Sequence, residues 1–272
     1  MRVLMFDTET TGLPLSFTVP TTDVNNWPHI IQISGILFDT KAQKIIKCMN
    51  LLIKPPHDVI ISDESTKIHG ITKEQTDKGG ITIQIALYLL NHIAKDADMI
   101  IGHNLSFDIK MVEAEYNRNK SFIQSISNIL IKPHTCTMRL LTQVCKIPYK
   151  QKNVNVKVNV SSKSAVANNY KWPTLSETHN HFFGTIPNGM HNSLVDTLAC
   201  LRCYIYHING YDIYGNPQIF EGVEIYDNGD NDNSDSNNTN NDEYISLTKK
   251  IITDYLLPAA IPPVLFPFIA ID

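Results

Sequence analysis

Residues 1–14, MRVLMFDTETTGLP, run from an apolar stretch straight into two carboxylates spaced two residues apart. Val3-Leu4-Met5-Phe6 reads as a buried strand. A strand alternates its faces with period two, so Asp7 and Glu9 point the same way. Like charges held side by side repel, and burying them unpaired costs on the order of several kcal/mol per ion. Either basic side chains or cations must neutralise the pair, and the rest of the chain decides between them.

The chain has 272 residues, enough for one sizeable domain with additions. No apolar run reaches the roughly 18 residues of a membrane span, and no basic-then-apolar leader precedes the first strand. Five scattered cysteines, Cys48, Cys136, Cys145, Cys200 and Cys203, do not form a disulfide framework. Cys200 and Cys203 lack a second pair, so metal binding there is not expected. Together these features predict a reduced, intracellular protein, cytoplasmic or nuclear. The net charge of −4 hides an asymmetry. Residues 1–220 hold 21 Lys+Arg against 17 Asp+Glu, or +4, whereas residues 221–243 hold eight acidic residues and no basic one, or −8. A mildly basic body permits a polyanionic substrate.

Ile30 to Phe38 and Ile45 to Ile53 are two further apolar runs joined by a short polar loop. They predict a hairpin, and hence an antiparallel meander of the first three strands. Helical spacing marks Ile81–Ala94, Leu105–Tyr116, Cys136–Val144, Thr174–Phe183 and Ser193–Ile208, with a short strand at 98–102 and an extended stretch at Ile129–Ile131. A Ser/Asn-rich segment at 148–170 reads as an inserted loop or small hairpin. Body residues 1–220 are followed by an acidic Asn/Asp-rich linker, 221–243, which from Asp227 to Asp242 has nothing apolar to bury and reads as disordered. Residues 244–272 form an amphipathic stretch and a Pro-rich apolar tail. That tail either packs back onto the body or docks a partner.

Three more acidic or imidazole positions have matching contexts. In GHNLSFD (102–108), Asp108 falls in the first turn of a helix directly after a strand. In HNSLVD (191–196), Asn192 or Ser193 caps a helix that carries Asp196 near its start, with His191 just outside. In alternating α/β folds, strand ends and the helix starts that follow them converge on one edge of the sheet. Asp7, Glu9, Asp108 and Asp196 would then meet, with His191 beside them. Four carboxylates at one point require cations. Hard oxygen ligands suit Mg²⁺ or Mn²⁺, as two ions roughly 4 Å apart. His191, with an unperturbed pKa of about 6.5, suits a general base for water.

At these residues the sequence resembles the DnaQ-like 3′–5′ exonucleases of the DEDDh class. FDTETTGLP, HNLSFD and HNSLVD are similar to that family's three motifs in order. WPHIIQISGILFD, KIHGIT, CTMRL and KWPTLSETHNHFFG are similar to its connecting stretches. The resemblance spans roughly residues 1–208 and implies a ribonuclease H-like α/β fold, with a mixed central sheet (antiparallel strands 1–3, then parallel strands) flanked by helices. It further implies removal of nucleoside monophosphates from the 3′ end of DNA or RNA, single-stranded or at a duplex 3′ end. Asp7, Glu9 and Asp196 would hold one metal, Asp7 with Asp108 the second, and His191 would be the base. Glu9 would also touch the terminal 3′-hydroxyl. Main chain at Thr10–Gly12, the Leu13 side chain, Asn104 and Phe107 would contact the end nucleotide. A polymerase-type partner reached through the 244–272 tail, and a homodimer, are further implications. The competing class is an inactive nucleic-acid-binding or adaptor module on the same fold, and the survival of all five chemical residues argues against it.

Other polar positions have two readings each. His103 supports the strand–helix corner. His69 either orders a loop near the substrate or is structural. Trp172-Pro173 anchors the following helix. Lys152, Lys157, Lys163 and Lys171 either follow a phosphate backbone or merely solvate the insertion.

Overall fold

The apolar run after Met1 is apolar throughout because it lies at the centre of a sheet covered on both faces. The computed structural model describes residues 1–120, 128–149, 170–228 and 247–256. Six strands, β1 (Arg2–Thr10), β2 (Ile30–Asp39), β3 (Lys44–Leu52), β4 (Met99–Gly102), β5 (His134–Cys136) and β6 (Glu224–Asp227), are ordered β5-β4-β1-β2-β3-β6. β1, β2 and β3 form the antiparallel meander, β4 joins β1 in parallel, β5 joins β4 in parallel and β6 joins β3 in parallel. The sheet is thus mixed, as the resemblance implies.

Ten α-helices occur among the described residues: α1 (Asp63–His69), α2 (Lys73–Gly79), α3 (Ile83–Lys95), α4 (Ser106–Arg118), α5 (Asn128–Ile131), α6 (Thr137–Leu140), α7 (Thr142–Cys145), α8 (Leu175–Phe183), α9 (Ser193–Asn209) and α10 (Leu247–Leu256). Period-two alternation divides β1 between two cores. Leu4 and Phe6 pack with Leu87, Leu90 and Ile93 of α3 and with Met111 and Val112 of α4. Val3 and Met5 pack on the other side with Leu194, Leu198 and Leu201 of α9 and Ile252 and Leu256 of α10. All five cysteines are free.

Several elements differ from the sequence expectation. Ile129–Ile131 is helical, and the strand comes three residues later, at His134–Cys136. The helix expected over Cys136–Val144 begins as that strand and breaks into α6 and α7 at Leu141. The two seven-residue helices α1 and α2 were not expected, because neither carries an apolar stripe. Their ends are set instead by Ser62 and Thr72, whose side chains accept the Ser65 and Gln75 amides. Glu224–Asp227, expected within the acidic linker, is a strand paired with β3 from Lys47 to Asn50. Edge strands of four residues leave little periodicity to read. Asn228 extends that contact, accepting the Leu52 amide and donating to the Leu52 and Gly79 carbonyls. Of the tail, Leu247–Leu256 lies on the body, while the rest of 244–272 lies outside the described residues. The insertion is closed at its base by Pro148 opposite Tyr170 and by the Lys171 amide donating to Ile147. Its interior, 150–169, also lies outside the described residues, as does most of the linker.

One buried acid holds the loop between β1 and β2. Glu115 of α4 is 1% exposed and accepts from the Ile30 amide at 3.1 Å and from Arg118 at 2.9 Å, with His29 Nδ1 at 3.2 Å. Arg118 in turn donates to the Val24, Trp27 and Pro28 carbonyls. Removing one partner of a buried charge pair leaves the other uncompensated, at a cost of about 3–5 kcal/mol. Glu115→Ala is therefore expected to lower the midpoint of denaturant unfolding by that order, with the slope unchanged; a shift under about 0.5 kcal/mol would contradict this role.

Candidate active site

Asp7 and Glu9 close the β1 strand on the face covered by α9. Directly opposite them on β2 stand Ser34 and Gln32, so the carboxylates share their face with two polar side chains in an otherwise apolar strand. The helix α9 begins over this face. Asn192 caps it, its side-chain oxygen accepting the Leu194 amide at 3.1 Å, which places Asp196 in the first turn. There a carboxylate is favoured by the helix dipole. Asp7, Glu9 and Asp196 each present an oxygen, all within 4.8 Å of one another.

Asp108 arrives from the other side of β1. The pairing of β4 with β1 stops at Ile101 and Met5, leaving the last residues of β1 beyond the reach of β4. Asn104 takes a left-handed backbone conformation, φ +62°, and turns the chain into α4. Asp108 in the first turn of α4 then fills the gap: its Oδ1 accepts from the Thr8 amide at 3.0 Å and the Thr8 hydroxyl at 2.8 Å. Gly102 permits the approach, since a Cβ there would lie 2.9 Å from Leu105 Cδ1 and 3.1 Å from the Phe6 carbonyl.

The four carboxylates perturb one another as the repulsion argument requires. Burial first, and then Asp108, Asp196 and Glu9, hold the Asp7 carboxyl well above the usual carboxylate range. Burial, followed by Asp196 and Asp108, pushes Glu9 up to about 8. Asp108 rises to about 7, burial outweighing the Thr8 hydrogen bonds. Asp196 rises to about 6, burial outweighing the His191 amide and the His191 ring. Among the described residues, no lysine or arginine contributes to these shifts. Of the two ways to neutralise the pair, a cation is the one this site is built for. Three clustered carboxylates with a fourth alongside are a hard oxygen donor set that fits a divalent metal ion.

His191 is exposed at the mouth of the cluster, in a left-handed conformation of φ +68°. Its amide donates to Asp196 Oδ1 at 3.2 Å, tying the loop to the carboxylate. The segment after Glu9 is fastened at several points. Thr10 Oγ1 donates to the Gly12 carbonyl at 2.7 Å, Thr11 exchanges hydrogen bonds with His29, and the Ser62 amide donates to the Thr11 carbonyl. Leu13 beyond it is 73% exposed. Asn104 is exposed and Phe107 half-buried, with the ring of Phe17 6.4 Å from that of Phe107. His69 lies beside the Thr10 backbone and near His191, and its Nδ1 accepts the Ile71 amide at 3.0 Å. His103 spans Thr137 Oγ1 at 3.0 Å and the Pro173 carbonyl at 2.9 Å, a buried support for the corner after β4. Trp172 is 55% exposed beside Arg139, so its neighbour Pro173 makes the link to that corner. Thr8, Gln32 and Ser34 were missed by the sequence reading. The signal was present, since Gln32 and Ser34 are the polar positions of IIQISGILF and stand two apart, like Asp7 and Glu9.

The raised carboxylates make stability depend on pH in a defined direction. In the unfolded chain these groups lose their protons near pH 4. In the folded, metal-free chain they hold them up to about 6 for Asp196, about 7 for Asp108 and about 8 for Glu9. The folded state thus binds more protons across this window, and the stability it gains is lost as pH rises through it. The thermal midpoint of the EDTA-treated chain is expected to fall between pH 6 and 8, and a saturating divalent cation to flatten that slope. A metal-free midpoint constant over the window would count against the buried cluster.

Comparison with known proteins agrees with this architecture. Residues 4–204 match the family model described as Exonuclease (RNase_T). Over 127 residues the chain is 33% identical to DNA polymerase III subunit epsilon of Buchnera aphidicola subsp. Schizaphis graminum, covering 47% of this chain and 50% of that protein. The chain thus spans about half the length of this curated relative. Among solved structures, E. coli Exonuclease I in complex with a dT13 oligonucleotide superposes with a TM-score of 0.54 at 16% identity, over 76% of this chain and 41% of that one. Cell-death related nuclease 4 (CRN-4) gives 0.52 at 15%, over 78% and 64%. These likenesses show a shared fold, the ribonuclease H-like fold of exonucleases. With the family model matched over most of its length, the chain belongs to the exonuclease family.

Proposed function

We propose that this chain is a metal-dependent 3′–5′ exonuclease that releases nucleoside monophosphates from the 3′ end of DNA or RNA. The observation that carries this reading is the meeting of Asp7, Glu9 and Asp196 within 4.8 Å, with Asp108 buried alongside and His191 at the mouth. The donor set suits Mg²⁺ or Mn²⁺. Asp7, Glu9 and Asp196 would hold one ion, and Asp7 with Asp108 a second. Such ions supply charge stabilisation for an in-line phosphoryl displacement. His191 accepts a proton from the attacking water as its oxygen bonds to phosphorus. The bond from phosphorus to the 3′ oxygen of the penultimate nucleotide breaks, that oxygen takes up a proton from solvent, and a 5′-monophosphate and a strand shortened by one nucleotide with a 3′-hydroxyl are left. The half-buried setting of Asp7, Glu9 and Asp196 and the burial of Asp108 reduce the screening of these interactions by bulk water.

Thr10, Gly12 and Leu13 lie on the fastened loop beside Glu9, and Asn104 and Phe107 flank Asp108, so the end nucleotide would lie between the two groups. Glu9 would meet the terminal 3′-hydroxyl there. Two exposed apolar side chains, Leu13 and the neighbouring Leu15, offer surface for a splayed base, which favours single-stranded ends. The similarity to a polymerase subunit supports a proofreading or repair role, in which a polymerase-type partner would engage through the residues after Leu256. A homodimer and an intracellular site of action belong to the same reading.

The test is degradation of 3′- and 5′-labelled single-stranded DNA and RNA with Mg²⁺, Mn²⁺ or EDTA. Stepwise shortening from the 3′ end that needs metal is expected. Asp7→Asn is expected to abolish it, and His191→Ala to slow it by about 10²–10⁴-fold. Cleavage that proceeds from the 5′ end, or that survives EDTA, would overturn the reading.

A further inference from the structure

The face of the sheet that carries Asp7 also carries a row of polar side chains leading away from it. Ser34 stands opposite Asp7 in the register, and Asn50 of β3 stands opposite Ser34. Directly opposed residues share a face, so the row runs Asp7, Ser34, Asn50 across three strands. Asn50 Oδ1 accepts from Ser34 Oγ and from Gln32 Nε2, both at 3.0 Å. Its amide nitrogen donates to Thr248 Oγ1 of α10 at 3.2 Å. At the other end, Ser34 Oγ lies 2.6 Å from Ser193 Oγ, and Gln32 Oε1 accepts the Ser193 amide at 3.2 Å. Ser193 is the first residue of α9, two positions after His191 and three before Asp196.

We propose that Thr248, through Asn50, Ser34 and Gln32, is a positioning residue for His191 and Asp196. The inference rests on the exonuclease reading of the site. His191 and Asn192 leave a left-handed turn into α9, and Ser193 is the point at which that turn is fastened to the sheet. Ser34 and Ser193 are 0% exposed and Thr248 is 1% exposed, so the row is shielded from water at both ends, with Asn50 half-buried between them. Asn50 can direct its oxygen at Ser34 and Gln32 only while its nitrogen is turned the other way. The Ser193 amide can only donate, so it holds the Gln32 oxygen toward α9 and the Gln32 nitrogen toward Asn50, and Asn50 must answer with its oxygen. Thr248 accepts from the nitrogen left on the other side; without it that nitrogen loses this partner, and the amide is free to swing away from Ser34 and Gln32. α10 is well placed to hold Thr248 there. Ile252 and Leu256 are buried in the core beneath α9, and the Gly215 amide donates to the Leu256 carbonyl at 2.7 Å. The segment 247–256 is therefore part of the catalytic body, and its contribution to the reaction is the angle at which α9 begins.

The experiment compares full-length wild type, Thr248→Val, which keeps the shape and loses the hydroxyl, and Thr248→Ser, which restores it. Three quantities are read: kcat and KM on 3′-labelled single-stranded DNA with Mg²⁺, amide hydrogen exchange over residues 191–197, and the thermal midpoint. Thr248→Val is expected to lower kcat about fivefold, with KM within about twofold, and to speed exchange at the start of α9. Thr248→Ser is expected to restore both. Wild-type kcat and exchange in Thr248→Val would overturn the proposal, as would a Thr248→Ser chain as impaired as Thr248→Val. If wild type itself shows no exonuclease activity, the functional reading fails, and hydrogen exchange still decides whether Thr248 orders the α9 start.

Discussion

The mutual repulsion of four clustered carboxylates, Asp108 buried and Asp7, Glu9 and Asp196 half-buried, is the constraint on which this structure depends. Burial holds Asp7, Glu9, Asp108 and Asp196 above their ordinary pKa, and neighbouring carboxylates add to the rise at Asp7, Glu9 and Asp108. A protein selected for stability alone would separate them, since hydrophobic replacement of buried charges is often stabilising. The fold instead brings two further chain segments, the starts of α4 and α9, to the end of β1 and spends interactions on holding them there. Thr8 supplies two donors to Asp108, and the His191 amide supplies one to Asp196. These donors stabilise the ionised forms without neutralising them, which leaves room for a cation.

Around that point the two cores divide the work. The α3–α4 core fixes the edge of β1 to which Asp108 reaches, and the buried Glu115–Arg118 pair fastens the loop bearing Thr10 to Leu13 to the same helix. The α9–α10 core fixes Asp196 and His191. Arg202 anchors α9 well away from the carboxylates. Its guanidinium lies 3.8 Å from the ring centre of Phe183 and 4.4 Å from that of Tyr214, while it donates to both oxygens of Asp212 at 2.8 and 2.7 Å. Such a cation sandwiched by rings and paired with a carboxylate is stable when buried. One end of α9 is thus held by Arg202, and the other by Ser193 on the sheet.

The sequence alone singled out the four carboxylates and His191. Period-two alternation placed Asp7 and Glu9 on one face, and the strand-to-helix signals around HNLSFD and HNSLVD placed Asp108 and Asp196 in first turns. These are local properties of spacing and capping, so they survive without knowledge of the partners. The antiparallel meander of β1 to β3 was legible for the same reason, from apolar runs and the loops between them, whereas the parallel strands followed from the family resemblance. Short elements were not. α1 and α2 depend on single capping side chains, and β6 is a strand only because β3 offers an unpaired edge.

Tertiary structure alone decided that the four acids are close enough to raise one another's pKa, because burial and distance are set by packing between segments about 90 to 190 residues apart in the chain. It decided that Glu224–Asp227 closes the sheet and that Leu247–Leu256 packs beneath α9, where composition offered only an acidic stretch and a short amphipathic one. It also turned Gln32, Ser34 and Asn50 from isolated polar residues into one row. A hydrogen bond between side chains 16 to 198 positions apart leaves no periodic trace in the sequence, since it depends on register across strands and on which helix covers which face.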